Sequence, residues 1–448
     1  MSRLTGFGLT ALTLLLHNGK PTTRMPLSAE AAPDIRELIS QAHGAPPSIC
    51  ALAANAVGNF GWGGGRDVPV TPLAHPERSA SQRDQREMSA EDERFLLDNL
   101  STPDACVREL SVRLLARNDD ATIQAGLEQR LTASDSSLRI VAALGLGLIE
   151  PMSAVEPLVR AVRDASTGVR ANAVWALGRI GDGRAVRPAT GALGDQSPLV
   201  RGAAAGALGH LDSTSAVPAL LRVLRDDDVA SVRRTAAWAL GQLDSKQAAD
   251  GLSSALHTDK DSSVREMSAW ALGNLDVSAS TPVLLAAARG DNDESVREMA
   301  VWALGQLGEN SAAEGLGQLL ASDRSARVRG TAAWALGQLD VKSAPKGLID
   351  ALGDSSKDLR LKAAWALSEI GDEAALPALR TALAKEEDAQ ARKAELRALI
   401  HSGERAERLT ELLKSKDPQV REAVIRGLAG RSGPDPWPWP QPRPRPFP

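Results

Sequence analysis

The sequence predicts an all-α fold, a right-handed α-solenoid (superhelix) of about eleven helix pairs. Three observations carry this reading. Val-Arg and Leu-Arg dipeptides, with Ala-Arg once, place arginines at Arg108, Arg139, Arg170, Arg201, Arg233, Arg265, Arg297, Arg329, Arg360, Arg392 and Arg421, at steps of 31 or 32 residues and a last step of 29. The stretch behind each arginine repeats one pattern of small and aliphatic residues, and TAAWALGQLD occurs unchanged at Thr235–Asp244 and Thr331–Asp340. Units this short cannot each enclose a core, so each must bury its apolar face against its neighbours.

The unit around Arg233 shows how each pair is specified. Its first helix is SAVPALLRVLRDD, with Leu220, Leu221 and Leu224 on one side and Pro218 near the start, where a missing N–H costs little. Asp226–Asp228 make a polar turn, and Ser231 stands where it could cap the second helix. That helix, VRRTAAWALGQL, gathers Ala236, Ala239, Leu240 and Leu243 within about 100° of one another at 100° per residue. Trp238 falls well off this stripe, pointing outward or sideways toward an adjacent unit.

Two recurrences read as structural. An aspartate stands six residues before the arginine in seven successive units, giving the pairs Asp164/Arg170, Asp195/Arg201, Asp227/Arg233, Asp259/Arg265, Asp291/Arg297, Asp323/Arg329 and Asp354/Arg360. Charge-assisted bonds within and between units would tie the stack together. A glycine stands eight residues after the arginine, at Gly178, Gly209, Gly241, Gly273, Gly305 and Gly337. Its helix-propensity cost of about 1 kcal/mol implies that something bulky approaches closely there.

The tryptophans Trp175, Trp238, Trp270, Trp302, Trp334 and Trp365 stand five residues after the arginines, interrupted at Gly206. Two readings are open. Each indole packs into the notch left by a neighbouring unit's glycine, or the indoles form an exposed ligand-binding groove. Gln242, Asn274, Gln306 and Gln338, nine residues after their arginines, supply primary amides beside them. Indoles and amides together suit an extended, proline-containing peptide, because aromatic faces take proline rings and amides bond backbone carbonyls. These ten residues are the candidate partner-binding set.

Units of V-R-x-x-A-x-x-A-L-G-x-[LI], a polar turn and an A-x-x-x-L-x-x-[AL]-L helix resemble HEAT repeats, in particular the HEAT-like type named from phycobilisome lyases. The resemblance covers roughly residues 104–430. It implies that the second helices line a concave, partner-binding face, and it offers a bilin-binding or bilin-transfer subunit as the alternative to a scaffold. WALG arrays are also similar to repeat segments of some bacterial membrane metallopeptidases, but H-E-x-x-H does not occur here. Deoxyhypusine hydroxylases share the fold and place His-Glu pairs on it as iron ligands. None of the six histidines here precedes a glutamate, so no catalytic, metal or cofactor residue is assigned.

The remaining features bound the function. With 52 Lys+Arg against 56 Asp+Glu and no basic stripe behind the arginines, nucleic acid is not an expected partner. Cys50 and Cys106 lack metal-site spacing and read as two small buried thiols. Residues 1–32 carry an apolar run, Leu4–Leu16, and an Ala29-Glu30-Ala31 site, so export and cytoplasmic retention both stay open, with no transmembrane helix in the mature chain. Residues 33–57 read as a helical hairpin or cap, 58–90 as a Gly-rich loop and linker, and 91–431 as the solenoid. In the Pro/Trp/Arg-rich tail, 432–448, eight prolines alternate from Pro434 to Pro448, so polyproline II is favoured. At about 3.1 Å per residue its fifteen residues reach roughly 47 Å, comparable with the tryptophan row, so self-docking of residues 434–448 in that row, or in that of another copy, stands open beside a solvated tail or an SH3-type ligand. The expected function is a non-catalytic protein-interaction scaffold.

Overall fold

The computed structural model describes residues 35–46, 50, 88–118, 120–415 and 418–429. The apolar run Leu4–Leu16, the Gly-rich loop and the tail 432–448 lie outside the described residues. A short helix α1 (Ile35–Ala42) precedes the stack. Helix pairs then follow in order: α2 (Ala90–Asn99) with α3 (Ala105–Leu115), α4 (Ala121–Arg130) with α5 (Ser136–Ile149), and α6 (Val155–Ala161) with α7 (Thr167–Ile180). Next come α8 (Val186–Ala192) with α9 (Pro198–His210), α10 (Val217–Asp226) with α11 (Ala230–Gln242), and α12 (Ala249–Thr258) with α13 (Ser262–Asn274). The series ends with α14 (Thr281–Gly290) and α15 (Glu294–Leu307), α16 (Ala313–Ser322) and α17 (Ala326–Gln338), α18 (Lys346–Asp350) and α19 (Lys357–Ile370), α20 (Leu376–Lys385) and α21 (Ala389–His401), and α22 (Ala406–Leu412) and α23 (Pro418–Leu428). The fold is an all-α solenoid.

Local chemistry sets the boundaries. Asp261, Asp293 and Asp388 cap α13, α15 and α21 by accepting from backbone N–H groups two residues on. Ser231 does not cap α11: that helix already begins at Ala230, and the preceding turn is held by the Asp227 carboxylate, which accepts from the Val229 N–H at 3.0 Å. Pro218, Pro282 and Pro377 sit in the first turns of α10, α14 and α20, where their missing N–H leaves no bond broken. Pro345 instead delays α18, which is only five residues long against ten in α16 and α20.

Two layers result. Each second helix packs on the second helices before and after it, while consecutive first helices touch far less. Glycine makes the tight approach possible. A β-carbon on Gly241 would lie 2.9 Å from the Ala271 Cα and 2.9 Å from Trp270 Cζ3, with no room to give. Ala236, Ala239, Leu240 and Leu243 are buried as the wheel requires, but so are Thr235, Ala237 and Trp238, because a second helix has neighbours on both flanks.

The cysteines correct the sequence reading. Cys50 and Cys106 form a disulfide with Cα atoms 5.5 Å apart. The N-terminal segment packs against the first pair, which brings the two together: Ile39 and Ala42 are buried, the Gly44 N–H donates to Asp104 at 2.7 Å, and the Arg36 guanidinium lies 5.0 Å from the centre of the Phe95 ring.

Candidate functional site

The arginine–aspartate ladder runs between units. Arg170 donates through Nε and Nη2 to Asp195 at 2.8 and 2.9 Å, and through Nη1 to the Asp164 carbonyl of its own turn at 3.0 Å. The same fork joins Arg139 to Asp164, Arg201 to Asp227, Arg233 to Asp259, Arg265 to Asp291, Arg297 to Asp323 and Arg360 to Glu386. So the aspartate six residues before each arginine offers that arginine its carbonyl and offers the preceding unit its carboxylate. Burial works against the Asp259 carboxylate, yet the Arg233 fork and the Asp261 N–H outweigh it and hold its pKa below the ordinary range.

One link is missing. The Arg329 guanidinium donates to the Asp323 carbonyl at 2.9 Å, but among the described residues it has no bond to Asp354. The Asp354 carboxylate keeps only the turn bond that the other ladder acids also make, accepting from the Ser356 N–H at 2.7 Å. This joint lies beside α18, which begins only after Pro345 and is five residues long.

The tryptophans are wedged between layers. Exposure of the six indoles runs from 1% at Trp334 to 9% at Trp175, which closes the exposed-groove reading for Trp175, Trp238, Trp270, Trp302, Trp334 and Trp365. Each lies over a glycine of the preceding unit, with Trp365 against Gly337, Trp334 against Gly305 and Trp302 against Gly273. Trp175 lies on Gly147, a partner that the sequence reading missed although it too stands eight residues after its arginine. Where Gly206 replaces the indole, α7 and α9 close the space themselves: a β-carbon on Gly178 would lie 2.6 Å from the Ala207 Cα. The wheel left the direction of the ring undecided, outward or sideways. It is sideways.

The amides behave differently. Gln242, Asn274, Gln306 and Gln338 are all exposed, at equivalent places in four consecutive second helices, and none has an intramolecular partner among the described residues. Elsewhere in this row the side chains are engaged. Arg179 pairs with Glu150, and the His210 ring meets Trp238 edge-on at 5.0 Å. Burial raises the Glu369 pKa, with His401 and Arg397 working against it.

Two polar groups in the C-terminal units have the geometry of chemistry without its access. Ser368 Oγ lies 2.9 Å from His401 Nδ1, but Ser368 is only 4% exposed and no substrate could reach it. Glu395 occupies the place filled by Ala363 and Ala332 in the preceding units, is 1% exposed, and neither of its carboxyl oxygens has a partner. Burial, reinforced by Glu386, raises its pKa to about 7. Among the described residues no cluster of His, Cys, Asp and Glu could hold a metal ion, and no helix is long and apolar enough to cross a membrane.

Comparison with known proteins places this geometry. The sequence profile of HEAT repeats matches residues 125–194, 187–273, 249–327 and 313–400, a continuous array across most of the stack. The chain belongs to the HEAT repeat family. A 73-residue part of this HEAT repeat chain is 45% identical to the bilin biosynthesis protein PecE of Mastigocladus laminosus. That match takes in 16% of the chain and 27% of the relative, so the chain spans about a quarter of that protein's length. Among solved structures, a chain from the work on Kap95p and the switch loops of RanGDP aligns over 75% of this chain and 56% of its own, with a TM-score of 0.52 at 16% identity, a likeness of fold alone. The complex of CpcE and CpcF of phycocyanin lyase from Nostoc sp. PCC7120 aligns over 55% of this chain and 94% of its own, at 24% identity and a TM-score of 0.35.

Proposed function

We propose that this HEAT repeat chain is a protein-interaction scaffold that holds an extended segment of a partner along the second-helix layer. The observation that carries the reading is the row Gln242, Asn274, Gln306 and Gln338, exposed and, among the described residues, unpartnered in four consecutive units. A primary amide both donates and accepts, so a row of them can bond peptide groups at regular intervals along a bound backbone without selecting for charge. Glycine–alanine contact keeps these helices near the short end of the usual spacing of about 8–10 Å. One turn of polyproline II is three residues of about 3.1 Å, roughly 9 Å, which matches that spacing. An extended β-strand repeats at about 6.8 Å and does not.

The test is a panel of fluorescent peptides with proline at every third position, titrated into the wild-type chain and into a Gln242/Asn274/Gln306/Gln338→Ala variant. The scaffold reading expects binding by the wild type and at least tenfold weaker binding by the variant, with both melting at the same temperature. Equal binding by the two sinks it. The PecE match favours a second reading, a subunit that binds or transfers a bilin. A red shift and sharpening of bilin absorbance on mixing with the chain would support that one.

A further inference from the structure

The missing ladder link opens on a cavity. A hollow of about 670 Å³ lies between the first helices α18 and α20, walled by Ile349, Leu352, Pro377, Ala378 and Ala382. Asp354, Glu387 and Lys385 also line it, the two acids without an ion pair among the described residues, while Arg360 and Glu386 there are satisfied by each other. Every other ladder acid that receives a guanidinium, from Asp164 to Asp323 and Glu386, takes it in a two-pronged fork from the preceding unit. Asp354 sits in the same turn, with the same backbone bond to a residue two positions on, and takes none. Asp354 thus presents, among the described residues, a carboxylate set up like the other ladder acids but without a guanidinium, on the lining of this hollow.

The geometry points to the chain's own segment Gln441–Pro448 as the occupant, with Arg443 or Arg445 bonded to Asp354 and the flanking prolines against the apolar wall. The sequence QPRPRPFP offers what the hollow asks for: cations carried between rigid apolar rings, in a backbone that needs no helix or strand partner. The reach suffices. Residues 430–442 span about 40 Å at ~3.1 Å each. The way back from the end of α23 is about 16 Å along that helix at ~1.5 Å per residue, plus one or two helix spacings of about 8–10 Å. This site lies on the first-helix layer, away from the amide row, so it stands apart from the scaffold reading and fails separately from it.

A fluorescein-labelled peptide of residues 434–448, added to full-length chains, reads out the site. In the wild type the tethered tail competes, so the peptide binds weakly. In an Arg443→Ala/Arg445→Ala chain the site is free, and affinity rises at least tenfold. Adding Asp354→Asn to that chain abolishes the gain, while the asparagine still accepts from the Ser356 N–H and leaves the melting temperature unchanged. Equal affinity for wild type and Arg443→Ala/Arg445→Ala overturns the proposal. So does a gain that survives Asp354→Asn, or one that is lost instead in the Gln242/Asn274/Gln306/Gln338→Ala variant.

Discussion

Trp238 Cζ3 lies where a β-carbon on Gly209 would approach to 2.7 Å, so the indole of one unit occupies the side-chain space that the previous unit leaves empty. The same ring–notch contact recurs along the stack and makes the glycine and the tryptophan a single packing device. Gly209→Ala should therefore destabilise by about 1–3 kcal/mol, as overpacking does, despite the better helix propensity of alanine. Gly191→Ala is the control: α8 offers open space there, and a gain of up to about 1 kcal/mol is expected. Thermal melts of the two variants check the contrast.

Burial of the indoles is itself measurable. Iodide should quench little of the emission from the six repeat tryptophans in the folded chain. Trp334→Ala, at the least exposed position, should cost about 3–5 kcal/mol in denaturant unfolding.

The ladder pairs should differ sharply in worth. The side chains of Arg297 and Asp323 are 4% and 5% exposed, so Asp323→Ala strands a buried guanidinium and should cost about 3–5 kcal/mol. Asp354→Asn, which breaks no fork, should be close to neutral. The ladder carboxylates from Asp164 to Asp323 titrate below their ordinary range, so the stability they give is present at neutral pH and is lost as pH falls through those lowered values, below about 4. Acid titration of the wild type, followed by helical circular dichroism, should show this loss.

Glu395 acts in the opposite direction. Its folded pKa of about 7 lies above the ordinary 4.5, so the folded chain binds the extra proton between those values. Stability is full below about pH 4.5, falls as pH rises toward 7, and is lower by up to about 3 kcal/mol beyond that. Glu395→Ala restores the residue of the preceding units and should raise the melting temperature at pH 8 more than at pH 5. Hydrogen exchange should place the change in α19 to α23.

The disulfide predicts a thiol count. The denatured, unreduced chain should show no free thiol, and reduction should expose two. Cys50→Ser/Cys106→Ser releases a closed loop of 56 residues, for which chain entropy gives about 4 kcal/mol, felt in the N-terminal segment and first pair. Limited proteolysis before residue 88 should accelerate in that variant. Such a bond persists in an oxidising compartment.

The sequence by itself determined the period, the helix pairs and the residue types of the ladder, because periodicity and turn chemistry are local and repeat eleven times. It also placed Gln242, Asn274, Gln306 and Gln338 on one row. What it left open was everything that depends on a neighbour in space. A helical wheel gives Trp238 an angle, but whether that angle meets water or Gly209 depends on how closely the next helix stands. The Cys50–Cys106 bond, the burial of Glu395 and the unanswered carboxylate of Asp354 have the same origin. Each is set by distances across the stack, such as those between Gly209 and Trp238, 29 residues apart, or Cys50 and Cys106, 56 apart, and only tertiary packing fixes those.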